Sequence, residues 1–104
     1  MKTGIITEIV DFLIVEGVTD DCFKEIVNSL ENNFHSKQKG FIDTELLKGR
    51  EPNRWIMIQH WDSIEDVKAS SNLMMKSECT EEFRKALIPS TVKMSITEQA
   101  GVWR

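Results

Sequence analysis

Cysteine is scarce in this sequence, with two among 104 residues, and long apolar runs are missing. Cys22 and Cys79 lie far apart, and neither belongs to a CxxC pair or a Cys/His cluster. A reducing cytosol is the simplest setting for two such thiols, while the sequence leaves a disulfide between them open. No unbroken apolar run exceeds the four residues of 12–15, which is far too short to cross a membrane.

Several sequence motifs that are typical of particular catalytic or binding sites are also missing. The sequence has no glycine-rich phosphate loop, no zinc-ligand spacing and no Ser/His/Asp signature. Its net charge is −4, without the clustered Lys and Arg that nucleic acid or anionic lipid requires. Residues 1–4 do not resemble a signal peptide. We therefore expect a cytoplasmic protein that binds neither nucleic acid nor membrane and holds no metal or other cofactor.

Size and composition indicate one globular domain. The chain is 40% apolar and 29% charged, which is ordinary for a folded protein and argues against disorder. A chain of this length supports one core and leaves little room for a separate cofactor-binding domain. We expect residues 1–104 to form a single domain.

Hydrophobic patterning predicts the order β-α-β-β-α-β. Segments rich in β-branched and aromatic residues predict strands over 4–16, 41–48, 54–61 and 91–99. A first helix begins after a capping Thr19 or Asp20 and ends near Gly40. Its apolar stripe has helical spacing and consists of Phe23, Ile26, Val27, Leu30 and Phe34.

The second helical region is predicted to be broken. It starts near Asp62 or Ser63, is interrupted at 70–72, resumes over 73–87 and stops before Pro89. This order predicts an α+β, ferredoxin-like fold, in which the helices cover one face of a four-stranded antiparallel sheet.

Both faces of the predicted sheet carry apolar side chains. The first strand has Ile9 and Leu13 on one face and Val10 on the other, and Ile56 and Ile58 lie opposite the tryptophans of the third strand. Because the helices shield one face only, the other requires a cover. We expect a homodimer that packs sheet against sheet, with Trp103 docked on the partner. The alternative is a monomer whose residues 101–104 fold over the sheet.

The middle of the chain carries a distinctive pattern. A Gly-Phe pair at 40–41 opens a strand, a hairpin follows, and the apolar strand 55–61 ends in Trp61-Asp62-Ser63 before a short acidic helix. This pattern resembles the antibiotic biosynthesis monooxygenase family, which forms dimeric α+β barrels, and the element order agrees over nearly the whole chain. The family includes oxygenases that need no metal or flavin, haem-degrading enzymes, and members with no known activity.

The resemblance implies a pocket between the sheet and the helices. The residues that would contribute are Glu8 and Val10 of the first strand, His60 and Trp61 of the third, and Ser70 and Phe83 of the broken helix. Haem-degrading members use an Asn, a Trp and a His at positions that correspond here to Val10, Ser70 and about Thr80, and none of these residue types is kept.

The function that the resemblance implies is a cofactor-independent monooxygenase with a small aromatic or quinol-like substrate. Such chemistry requires the substrate to become an electron-rich anion, for which the protein supplies a dry pocket and one base. The alternative is a non-catalytic small-molecule-binding or interaction module on the same dimeric scaffold. Haem degradation is the third hypothesis.

Two ionisable residues are the candidate catalytic groups. His60 has a side chain whose unperturbed pKa is near neutral pH, although it shares a strand face with Ile56 and Ile58, and a lone strand histidine is more often a hydrogen-bonded packing residue. Glu8 is an acid within an apolar strand, so it is either a base with a raised pKa or a surface residue near a sheet edge. His35 lies at a helix end among lysines, and we expect it to be a solvated cap.

The larger apolar side chains leave two interpretations open. Trp55 and Trp61 either stack on an aromatic substrate or anchor the sheet to its cover. The methionines either line an adaptable cavity or fill gaps in the core; they are Met57, Met74, Met75 and Met94.

Overall fold

Four antiparallel strands form one sheet in the order β2-β3-β1-β4 in this computed structural model, which describes residues 4–104. Residues 1–3, which contributed to the expectation of no signal peptide, lie outside the described residues. The elements are β1 Ile6–Leu13, α1 Asp20–Asn33, β2 Phe41–Lys48, β3 Arg54–Trp61, α2 Ile64–Met74, α3 Glu81–Ala86 and β4 Lys93–Glu98. The predicted ferredoxin-like α+β fold is confirmed.

Helix α1 begins where its capping residues place it. The Thr19 hydroxyl accepts a hydrogen bond from the Cys22 amide at 3.1 Å, and Asp20 and Asp21 lie in the positively polarised first turn. The helix ends at Asn33, and a 3-10 turn, His35–Lys37, follows before Gly40. Gly40 has φ of 80°, and a side chain there would collide with Asp66, so both conformation and space require glycine.

The second helical region is broken, but later than the sequence predicts. Residues 70–72 remain helical within α2, because Ser70 lies on its buried face. The chain leaves the helix after Met74, and Ser77 caps it by donating from its hydroxyl to the Leu73 carbonyl at 2.8 Å. A 3-10 turn at Glu78–Thr80 then leads into α3. The predicted interruption at 70–72 is therefore wrong in position.

The strands at the chain ends are shorter than predicted. β1 ends at Leu13; beyond it, the Ile14 amide still bonds to the Asn53 carbonyl, and Ile14 forms only an isolated bridge with Leu87. Pro89–Thr91 forms a 3-10 turn, so β4 starts at Lys93. Cys22 and Cys79 are free and exposed, which answers the question of a disulfide between them.

The core lies between the sheet and the helices and has a cluster of aromatic rings at its centre. Phe23 of α1 is fully buried at its centre. Its ring lies 5.1 Å from Trp55, 5.9 Å from Phe12 and 6.1 Å from Phe83, measured between ring centroids. These contacts join α1 and α3 to the two central strands, as the apolar stripe on α1 predicts.

The surface of the sheet that faces away from the helices is here called the open face. It comprises the side chains of the central strands β1 and β3 that point away from the helices. Ile9 pairs in register with Ile58, and both remain partly exposed, as does Ile56. Val102 and Arg104 lie beside His60 at one end of this face, and Trp103 is 88% exposed. Within residues 4–104, the chain leaves the centre of the open face uncovered.

Replacement of Phe23 by alanine tests the aromatic core. Phe23→Ala removes three ring contacts and leaves a cavity, so we expect the free energy of unfolding to fall by about 3 to 5 kcal/mol in urea denaturation. Lys24→Ala, at the exposed neighbouring position of α1, is the control and should change it by less than about 0.5 kcal/mol. Equal losses in the two variants would contradict the packing described here.

Candidate functional site

A cavity of about 560 Å³ lies between the covered face of the sheet and the broken helical region. The sheet contributes Glu8, Val10, Met57, Gln59 and Met94 to its wall. The helical side contributes His35, Ser70, Met74, Met75, Phe83 and Arg84. A concave, mostly apolar space of this size with a few inward polar groups is typical of a small-molecule site.

The structure brings together most of the site residues named from the sequence. Glu8, Val10, Ser70 and Phe83 all line the cavity, and so do all four methionines that the sequence left open. Trp61 is 1% exposed and lies behind the wall, where its indole nitrogen donates a hydrogen bond to Glu8 at 3.2 Å. It packs against Phe41, with ring centroids 5.4 Å apart, so in this structure it anchors the sheet.

His60 is placed elsewhere. It occupies an outward position on β3, on the open face, and its Nδ1 lies 2.6 Å from an oxygen of Asp43. The alternation of side chains along a strand separates it from Glu8, which faces the helices. Of the two acid–base candidates, Glu8 is therefore the one that faces the cavity.

Glu8 is a buried carboxyl, 5% exposed, on the central strand β1. Burial raises its pKa above the ordinary value, because a low-dielectric environment disfavours the charged form. The hydrogen bond from Trp61 and the electrostatic influence of His35 lower that pKa and so oppose the effect of burial. The surface position considered for Glu8 in the sequence analysis is excluded by this geometry.

His35 is not the solvated cap expected from its lysine neighbours. It is 2% exposed and stacks on Phe41, with ring centroids 5.7 Å apart and planes inclined by 19°. The backbone leaves helical geometry at Phe34, and this turn directs the next side chain inward. The expectation was wrong because the charge pattern of 35–39 does not show where the chain bends.

A buried polar network holds the His35 ring. Its Nδ1 lies 2.5 Å from one carboxylate oxygen of Glu31, one helical turn earlier, and 3.1 Å from the side-chain amide of Gln59. The Thr44 hydroxyl bonds to the other Glu31 oxygen and accepts from Gln59 at 2.9 Å. The spacing of four between Glu31 and His35 was the available sequence signal, since such residues are neighbours on a helix.

Two further features of residues 4–104 bear on the site. No three His, Cys, Asp or Glu side chains in this part of the chain are grouped so that they can hold a metal ion. None of its helices combines the length and apolar character needed to span a bilayer.

The burial of Glu8 predicts a pH-dependent stability. Because its pKa is raised in the folded protein, the folded state holds this proton more tightly than the unfolded chain. The stabilisation is complete below the ordinary value of 4.5 and is lost as the pH rises through the raised pKa. Glu8→Gln has no charge to bury. Its free energy of unfolding should therefore increase relative to that of the wild type as the pH rises above 4.5.

The measurement is urea denaturation of both proteins over a series of pH values. Glu25→Gln, at an exposed position of α1, is the matched control and should keep a constant difference from the wild type. A constant difference for Glu8→Gln as well would show that Glu8 ionises without a desolvation penalty.

Comparison with known structures identifies several with the same fold. SnoaB, a cofactor-independent oxygenase from Streptomyces nogalater, has a TM-score of 0.70 and 14% identity over 96% of this chain and 97% of its own. PA3566 from Pseudomonas aeruginosa has a TM-score of 0.68 and 15% identity over 97% of this chain and 99% of its own. A conserved protein from Methanosarcina mazei Go1 has a TM-score of 0.68 and 15% identity over 93% of this chain and 94% of its own. At these identities the likeness shows the fold alone.

Sequence comparison gives the family. No curated protein matches the chain. The family model described as antibiotic biosynthesis monooxygenase matches residues 9–87, which include most of β1, all of α1, β2 and β3, and the broken helical region through α3. The chain therefore belongs to the antibiotic biosynthesis monooxygenase family.

Proposed function

We propose that this protein is an oxygenase that uses O₂, without a bound metal or flavin, on a small aromatic or quinol-like molecule held in the cavity. The observation that carries the proposal is the buried carboxyl of Glu8 in a largely apolar wall. The family and the description of SnoaB as a cofactor-independent oxygenase support the reaction class. Glu8 is the acid–base group of the proposal, since it faces the space in which the substrate would lie.

The proposed reaction inserts one oxygen atom and releases the other as water. A phenol that loses its hydroxyl proton becomes an electron-rich anion, which transfers an electron to O₂. The two radicals combine to form a peroxide on a ring carbon, and loss of water leaves a carbonyl there. A phenol and O₂ thus give a quinone and water, and all four electrons that reduce O₂ come from the substrate.

The apolar walls contribute by excluding water. Met57, Met74 and Phe83 present no strong hydrogen-bonding group to the cavity, so an anionic intermediate there meets few proton sources. Methionine side chains are flexible and polarisable, which suits contact with planar rings of different outlines. The cavity therefore supports a flat, aromatic ligand better than a polar one.

We propose that two copies of the chain associate through the open face as a homodimer, each protomer being the single domain expected from the sequence. Ile9, Ile56 and Ile58 form a partly exposed apolar centre on this face, and Leu47 beside it is 37% exposed. The ion pair between Arg54 and Asp11 lies at its margin. An apolar centre with charged groups around it is typical of a specific protein interface.

A non-catalytic binding role is the second candidate. Val10 presents a hydrocarbon side chain to the cavity. The hydroxyl of Thr80 is occupied by the Met74 carbonyl at 2.5 Å and by Arg84. These positions correspond to polar residues in haem-degrading relatives, so this chain has fewer reactive groups. The activity test below separates binding from turnover.

Oxygen consumption tests the proposed activity. We expect the wild-type protein to consume O₂ with at least one member of a panel of phenols and quinols, in an oxygen-electrode assay without added metal or flavin. Glu8→Gln should lower kcat by about 10²- to 10⁴-fold, because glutamine cannot transfer a proton. The product should carry one oxygen atom from labelled O₂, measured by mass spectrometry.

Controls separate the possible outcomes. Glu25→Gln, remote from the cavity wall, should consume O₂ at the wild-type rate. No consumption with any panel member, together with calorimetric binding of one of them, would replace the oxygenase by the binding module. A Soret shift on titration with haem would instead support the haem-degrading alternative, and we expect none.

Association through the open face is tested by charge insertion. Light scattering at micromolar concentration should give the mass of two wild-type chains and of one Ile58→Lys chain, because a buried unpaired lysine disfavours the interface. Asn28→Lys adds the same charge to the exposed side of α1 and should remain dimeric. A wild-type protein of single-chain mass would overturn the dimer.

A further inference from the structure

The cavity wall contains an imidazole, that of His35, which has no role in the reaction proposed above. His35 lines the cavity, although it is almost wholly buried. Burying an imidazole without hydrogen-bond partners is unfavourable, and here Glu31 contacts the ring and is linked through Thr44 to Gln59. A carboxylate bonded to one ring nitrogen determines which nitrogen carries the proton, which makes this histidine a candidate acid–base group.

The contacts of the His35 ring indicate which of its two nitrogens carries the proton. An ionised carboxylate accepts hydrogen bonds only, so the shorter contact, 2.5 Å to Glu31, assigns a proton to Nδ1. The Gln59 amide nitrogen, 3.1 Å from Nδ1, is itself a donor, so with this assignment it donates to Thr44 and not to the ring. In the neutral ring, Nε2 then carries the lone pair. Within residues 4–104, no group forms a hydrogen bond with Nε2. The buried side-chain nitrogens that lack a partner in this part of the chain are Arg54 Nε and Trp55 Nε1, so Nε2 is not fully enclosed by protein. The cavity therefore gives access to an unprotonated nitrogen.

We propose that His35, oriented by Glu31, is the base that removes the hydroxyl proton of a phenolic substrate in the cavity. This role deepens the proposed function and rests on it. The proton moves from the substrate oxygen to Nε2, and the Glu31 carboxylate stabilises the resulting imidazolium through Nδ1. His35 is the catalytic residue, and Glu31 is a positioning residue that acts through it.

Glu8 has a complementary role in the same cavity. Its side chain lines the cavity, and in its protonated form the carboxyl donates a hydrogen bond toward an anionic substrate. Burial, which raises its pKa, favours that form, although the hydrogen bond from Trp61 and the electrostatic influence of His35 act in the opposite direction. An ionised carboxylate in that position would repel a phenolate. A base at His35 and an acid at Glu8 therefore suit a substrate with two oxygen substituents, such as a quinol.

The proton balance closes over one turnover. His35 takes the hydroxyl proton, O₂ adds to the ring anion, and Glu8 protonates the peroxide. When the O–O bond breaks, the departing hydroxide takes the proton from His35 and leaves as water. The ionised Glu8 accepts the proton of the ring carbon, so both groups return to their initial states.

A chromogenic phenol tests the base directly. 4-Nitrophenol is nearly colourless when neutral and yellow when ionised, so its spectrum reports where the proton lies. With excess wild-type protein, below the pH at which the free phenol ionises, we expect the bound probe to show the phenolate band. His35→Gln should bind the probe without this band, and Glu31→Gln should show a weaker band. Glu25→Gln should match the wild type.

Three results would overturn the role of His35. They are a neutral bound probe in the wild type, a phenolate band that persists in His35→Gln, and absence of binding. If His35→Gln does not fold, nitrogen NMR of wild-type protein replaces it. The unliganded protein should show a proton on Nδ1 and none on Nε2, and the probe should protonate Nε2; an unchanged Nε2 signal would refute the proposal.

Oxygen consumption separates this inference from the proposed function. We expect His35→Gln to lower kcat by about 10²- to 10⁴-fold. Wild-type activity retained in His35→Gln overturns the base and leaves the oxygenase standing. No O₂ consumption by the wild type, with a phenolate band that depends on His35, overturns the oxygenase and leaves the base.

Discussion

The alternation of side chains along β1 and β3 separates the groups that face the cavity from the apolar residues on the other side of the sheet. Successive residues point to opposite faces of the sheet, and the chain's helices cover one of those faces. Glu8 and Gln59, which pair in register, face the helices and the cavity. Ile9 and Ile58, also paired, face away and form the open face. A cavity and the proposed association surface thus lie on opposite faces of the same two strands.

Polar groups enter the covered side at a free-energy cost that the structure offsets in two ways. Glu8 receives a hydrogen bond from Trp61, and its raised pKa allows it to remain neutral at a pH where an exposed glutamate would be charged. His35 is held by Glu31, which is connected through Thr44 to Gln59. These groups interrupt an otherwise apolar wall at separate points, which makes the cavity suitable for a flat molecule with oxygen substituents. Apolar side chains form most of the enclosure, and the ionisable ones are the groups to which we assign the proposed chemistry.

Much of the fold could be predicted, because its signals are local. The α1 stripe, the Thr19 cap and the apolar strands each follow from residues close together in sequence, and the structure confirms them. The break in the second helical region was placed at 70–72, since Ser and Asn are weak helix formers. Ser70 stays helical because it packs on the buried face, and Ser77 supplies the cap that ends α2. Tertiary contacts outweighed local propensity at that point.

The site was less accessible to sequence reasoning than the fold. Alternation alone separates Glu8 from His60 only when the register of β1 against β3 is known, and that register aligns Glu8 with Gln59. His35 follows the last residue of an apolar stripe, and its lysine neighbours indicated solvent. The sequence by itself determined the strand and helix pattern, the apolar character of both sheet faces and the presence of an acid in β1. Only the tertiary structure decided that Glu8 and His35 border one cavity while His60 does not, because a strand register and a bend at Phe34 depend on packing between residues distant in sequence.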